Sequence, residues 1–92
     1  MKHYKIKFAG EDPKEACEEF VERCGRKGYG RNLIKKHKKK VIFAADNKNE
    51  VRQVMRHISG DSYIFGYAYS FGKEGEDYSI KKIDKSDSDM KR

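Results

Sequence analysis

From Lys2 to Phe8 apolar and polar residues alternate, with Tyr4, Ile6 and Phe8 on one face and His3, Lys5 and Lys7 on the other. A period of two predicts a strand with one face buried. The period then lengthens: Ala16, Cys17, Phe20, Val21 and Cys24 recur at helical spacing, while Glu18, Glu19 and Glu22 lie off that face. Asp12-Pro13-Lys14-Glu15 has the chemistry of a helix start, with Asp12 as N-cap, Pro13 at the first position and Glu15 in capping-box place. Gly25 and Gly28 can end that helix. Leu33-Ile34 and Val41 to Ala45 read as two short strands flanking a lysine-rich turn, whose register no Asn-Gly signal fixes. A second helix is expected where Asn47 caps with Glu50 three residues on, Val51, Val54, Met55 and Ile58 form the buried stripe, and Gly60 stops the run.

After Gly60 the period returns to two. Tyr63, Phe65, Tyr67, Tyr69 and Phe71 alternate with Ile64, Gly66, Ala68 and Ser70, and the Gly72-Lys73-Glu74-Gly75 turn leads to a last strand, Tyr78 to Ile83. The expected order is β-α-β-β-α-β-β, an α+β domain with two helices on one face of an antiparallel sheet. A ferredoxin-like split βαβ arrangement with one extra edge strand closes every apolar stripe. Residues 1–83 form a single domain in this reading, and the charged Ser/Asp/Lys stretch 84–92 is expected to be a disordered tail.

Composition narrows the function classes. With 36% apolar and 40% charged residues, the core must be compact, and an exposed working surface is favoured over a deep pocket. No stretch has the continuous apolar run of a signal peptide or a membrane span, which points to a cytoplasmic protein without membrane association. Cys17 and Cys24 lie seven apart in one expected helix. Their Cα atoms would be about 10 Å apart, beyond the roughly 7 Å reach of a disulfide, so they read as reduced core thiols. A zinc pair is disfavoured by that spacing and by the lack of a second Cys/His pair nearby, so neither a metal nor a cofactor is expected.

The charge is unevenly placed. Arg26, Lys27, Arg31, Lys35, Lys36, Lys38, Lys39 and Lys40 fall in one stretch without an acid, and the remainder of the chain carries a net −1 against a total of +7. Glu11 to Arg23 runs the other way, with six acids against two bases. Such polarity is the electrostatic footprint of a polyanion partner. The lysine hairpin, Lys35 to Lys40, is the leading candidate site, a strand-loop finger of point charges for phosphates, with Arg31 just upstream. Arg52 and Arg56 recur with Lys48 every four residues on the second helix and would extend the track. Tyr67 and Tyr69 could stack on bases, or the aromatic stripe could pack in the core or form a homodimer interface.

Gly66-Tyr67-Ala68-Tyr69 resembles the middle of the RNA-recognition-motif octapeptide, Gly-aromatic-small-aromatic. It lacks the preceding basic residue, has Ser70 in place of an aliphatic and follows the second helix instead of preceding it, so the chain is not assigned to that family. Acylphosphatases share the expected strand order, but their anion loop is replaced here by Ala9-Gly10-Glu11-Asp12, which would repel an anion. His3, His37 and His57 form no triad or metal pattern, so no enzyme activity is expected. Two readings follow. The first is a non-enzymatic nucleic-acid-binding module, with RNA or single-stranded DNA favoured. The alternative is a small inhibitor or adaptor, of phage or mobile-element type, that docks on a nucleic-acid-handling protein through the basic hairpin and an aromatic or edge-strand surface.

Overall fold

The computed structural model describes residues 1–62, 67–69 and 71–83. Strand β1, Lys2–Phe8, is central. It pairs antiparallel on one side with β3, Lys40–Ala45, and on the other with β6, Tyr78–Ile83. Strand β2, Leu33–His37, pairs antiparallel with the outer side of β3, giving the order β2-β3-β1-β6. Because β3 runs against both β1 and β2, those two are parallel with β3 inserted between them. Helix α1, Pro13–Lys27, provides their crossover. Helix α2, Lys48–Ile58, connects β3 to β6 in the same way around β1. The protein is therefore α+β, and this order is compatible with the ferredoxin-like split βαβ arrangement expected from the sequence.

The helix ends follow local chemistry. The Asp12 carboxylate accepts from the Glu15 amide at 3.2 Å, and Pro13 occupies the first turn, where no amide is needed. At the other end Gly28 sits at φ 92°, a left-handed conformation that glycine enters without a Cβ clash. The Tyr29 amide then reaches the Cys24 carbonyl at 2.7 Å and the Gly28 amide the Gly25 carbonyl at 3.4 Å, the two bonds of a Schellman end. Gly25 itself stays inside the helix. In α2, Asn47 accepts from the Glu50 amide at 2.8 Å, while Glu50 reaches back to the Asp46 amide at 2.6 Å.

Both helices cover one face of the sheet. Phe20 is fully buried there, its ring 5.6 Å from Phe8, 5.8 Å from Phe71 and 5.9 Å from Phe43 between centroids. Tyr4, Ile6, Val41, Ala45 and Ile80 join it from the strands, and Val51, Val54, Met55 and Ile58 from α2. Cys17 and Cys24 are free thiols inside this core. Arg23, 7% exposed, also faces inward. Its Nε pairs with Glu19 at 2.7 Å and its Nη1 donates to the Ile58 carbonyl at 2.8 Å, so α1 satisfies an open carbonyl at the end of α2.

The segment after α2 departs from expectation. Ser59 is extended and ends α2, and Gly60 begins β4, Gly60–Ser62. This strand pairs antiparallel with β5, Tyr67–Tyr69, in a separate two-stranded sheet. Of the strand expected through Tyr63 to Phe71, Tyr67–Tyr69 thus pairs with Gly60–Ser62 instead of forming an extra edge of the main sheet. Alternation marks a strand but does not name its partner. Tyr63, Ile64, Phe65, Gly66 and Ser70, and the tail expected over 84–92, lie outside the described residues. Phe71, the last aromatic of the stripe, packs in the core.

Candidate nucleic-acid interface

The helix-free face of the main sheet is built by the other half of each alternation. Cross-strand partners share a face, so the register places the side chains in rows. One row is Ser79, Lys7, Lys40 and His37; the next is Lys81, Lys5, Ile42 and Lys35; a third holds Ile83, His3 and Ala44. Rows of this kind repeat about 7 Å apart along the strands, with neighbours about 5 Å apart across them. Five lysines and two histidines therefore share the face, and no acid lies in any of its three rows. Lys7, Lys35, His37 and Lys81 are exposed, and Lys5 and Lys40 half-buried.

Two of the cross-strand pairs, Lys7 with Lys40 and Lys5 with Lys81, set ammonium groups directly opposite one another. Like charges so placed weaken a sheet. Ile42 is fully buried among them but stands apart from the helix-side core, flanked in the register by Lys5 and Lys35. Lysine stems beside an apolar side chain, with their ammonium groups reaching outward, suit this position.

The hairpin turn is Lys38-Lys39, with Lys38 at φ 51°. Two-residue hairpins need a left-handed residue at the turn, and here a lysine takes the role usually given to Gly or Asn. The turn is level with the end of β1: Lys7 pairs with Lys40, and the Phe8 amide donates to the Lys39 carbonyl at 2.9 Å. The expected projecting finger is thus a corner of the sheet, held against its central strand.

The ten residues singled out in the sequence do not form one surface. Lys35 and Lys40 lie on the helix-free face, with Lys38 and Lys39 at its corner. Lys36 pairs with Val41 and faces the helix side, close enough to the Cys17 thiol to offset part of the upward push that burial gives it. A bulge between Leu33 and Lys35 leaves Ile34 exposed on this edge strand. Arg31 is exposed in the 3₁₀ turn Gly30–Asn32, which leads into β2 and is tied to β3 by the Asn32 amide bonding the Ala44 carbonyl at 2.8 Å. Arg52 and Arg56 are on α2, across the sheet from the lysine face, and Arg52 is paired with Glu74 at 2.7 Å. Tyr67 and Tyr69 belong to β5, outside the main sheet. Sequence reasoning missed Lys5, Lys7, Lys81, His3 and His37, although the alternation of β1 already put His3, Lys5 and Lys7 together.

Other reactive groups are placed for structure. Burial pushes the Cys24 thiol up to about 12, so it stays protonated and a poor nucleophile at neutral pH. The Tyr29 hydroxyl and His57 Nδ1 are 2.7 Å apart, tying the end of α1 to α2. Among the described residues no group of three or more His, Cys, Asp or Glu is placed to hold a metal ion, and no helix is long and apolar enough to cross a membrane. Compared with known proteins, the chain matches no family model, no curated protein and no solved structure.

Proposed function

We propose that this protein is a non-enzymatic binding module that holds single-stranded nucleic acid, RNA or DNA, against the helix-free face of its sheet. The observation that carries this reading is the register: Lys5, Lys7, Lys35, Lys40 and Lys81 converge on one face whose rows hold no acid among the described residues, although the chain has 15 acidic residues to distribute. Opposed lysine pairs weaken a free sheet, and a bound polyphosphate backbone relieves that repulsion. Ammonium groups act on phosphates as point charges and read no base, so binding is expected to be strongly salt-dependent and weakly sequence-dependent.

The flush hairpin favours a single strand over a duplex. A β-ribbon that reads a duplex enters the major groove, and a turn held against β1 has no free length to insert. A single strand can lie across a broad sheet with its phosphates over the lysine rows. His37, exposed at the edge, supplies an imidazole ring for base contact.

The test is fluorescence anisotropy with labelled single-stranded RNA, single-stranded DNA and duplex DNA over a salt series from about 50 to 200 mM. Saturable binding to the single strands is expected, with log K falling by about 3 to 4 per decade of salt if all five face lysines meet phosphates. Absence of binding at the lowest salt would sink the reading. Tight, weakly salt-dependent capture of one protein from a nucleic-acid-handling complex would instead support the inhibitor or adaptor role.

A further inference from the structure

Across the sheet from the lysine face, α2 and the turn before β6 enclose a cleft of about 240 Å³ lined by Arg52, Arg56, Ser59, Gly72, Glu74 and Tyr78. Arg52 and Arg56 are one helical turn apart and share a side of α2. Glu74 enters the cleft from the turn and accepts two bonds from Arg52, Nε to Oε1 at 2.7 Å and Nη2 to Oε2 at 3.1 Å. The Arg52 hydrogen bond holds the Glu74 carboxyl below the usual carboxylate range, so Glu74 is an anion at neutral pH. Arg56 is exposed and has no acidic partner among the described residues.

The turn is built to present Glu74. Gly72 has φ 93°, and a Cβ there would collide with the Asp77 carboxylate. That carboxylate accepts from the Lys73 amide at 2.8 Å, while the Asp77 amide bonds the Lys73 carbonyl at 2.8 Å. Tyr78 stands behind the turn on β6, and burial pushes its phenol up, so it keeps its O–H as a donor.

We propose that this cleft is a second anion site, for a phosphate monoester, in which Glu74 is the resident competitor. Residues with donor groups line it from three elements: Arg52 and Arg56 on α2, Ser59 in the segment that ends it and Tyr78 on β6. A planar carboxylate uses one fork, as Glu74 does on Arg52. A tetrahedral oxyanion with three acceptor oxygens uses donors that converge from several elements. The volume falls below the roughly 300 Å³ at which pockets begin to enclose drug-sized ligands. The cleft therefore suits a phosphoryl group and the first atoms of its ester. Being across the sheet from the lysine rows, it stands or falls independently of nucleic-acid binding there.

The experiment is an amide chemical-shift titration of the isotopically labelled full chain with ribose 5-phosphate and, separately, inorganic phosphate, at constant ionic strength set with chloride. Saturable shifts centred on Arg56, Ser59 and the Gly72 to Asp77 turn are expected. E74Q should tighten binding roughly two- to fivefold, the scale of a surface ion pair. R56A should weaken it about tenfold or more, and R56K, which keeps the charge without the fork, should recover part of that loss. A ribose phosphate that binds while inorganic phosphate does not would place the ester atoms in the recognised unit and supports the monoester class. Shifts that do not saturate, that spread over the lysine face, that survive R56A, or that weaken with E74Q would each overturn the proposal.

Discussion

The two faces of the main sheet are made by the same strands and differ in what fixes their residues. On the helix side Tyr4, Ile6, Phe8, Val41, Phe43 and Ile80 are each buried against α1, α2 or Phe71, so volume and shape decide what can stand there. On the other side Lys7, Lys35 and Lys81 are exposed and His3, Lys5 and Lys40 half-buried, and among the described residues only Ile42 and Ala44 are buried there. One face specifies the fold. The composition of the other is left free for a task, and a run of lysines without an acid is a biased use of that freedom.

Breaking the covered face should have the largest effect. Phe20 touches Phe8, Phe43 and Phe71, and Phe20→Ala should cost about 3–5 kcal/mol. That is a large share of the roughly 5–15 kcal/mol stability of a native domain. Urea unfolding should show it as a fall in the midpoint at unchanged slope.

The core thiols give the next effect, through pH. Burial raises the Cys24 thiol from its usual 9.0 to about 12, so the folded state holds its proton where the unfolded chain releases it. The contribution of that neutral thiol is fully present below pH 9 and is lost as pH rises from there toward 12. Urea midpoints in reductant should therefore decline over that alkaline range, with the decline reduced in Cys24→Ala. Thiol alkylation of the folded protein at pH 8 should be slow until denaturant is added.

The smallest effect sharpens the comparison by its sign. Lys7→Ser removes one partner of an opposed pair at an exposed position, so stability should change by no more than about 0.5 kcal/mol. The direction should be upward at low salt and should vanish at high salt, because the relieved repulsion is screened. A clear loss of stability would mean that Lys7 serves the fold and that the two faces are less distinct than described.

Much of this was legible in the sequence, and the reasons are local. The β1 and β6 boundaries, the Asp12 and Asn47 caps and the two helical stripes follow from alternation, capping chemistry and 3.6-residue spacing. The pairing of β4 with β5 was hidden because Gly60-Asp61-Ser62 has no apolar alternation to mark it as a strand. Arg23 gave no sign of burial, since its role depends on the Ile58 carbonyl, 35 residues away and on the other helix. The lysine face was half visible. The basic run around the β2–β3 turn stands out in the chain, whereas Lys5, Lys7 and Lys81 join it only once β1 is known to lie beside β3 and β6. Linear charge density drew attention to Lys36, and the four-residue recurrence on the second helix to Arg52 and Arg56, which strand alternation and the helical layer turn away from that face.

The central claim, that one face of the sheet holds the nucleic acid, is tested most directly by comparing two variants of equal charge. One replaces Lys5, Lys7, Lys35, Lys40 and Lys81 with Ser. The other replaces five cations off that face, Lys14, Arg26, Lys27, Lys36 and Lys48, with Ser. Anisotropy with a labelled single-stranded RNA at about 50 mM salt, and again at 200 mM, should show the face variant losing most of its affinity and flattening its salt slope by about 3. The control variant should stay close to the wild type in slope. Equal losses in the two variants would show that net charge alone drives binding, and would contradict the assignment of the site to this face.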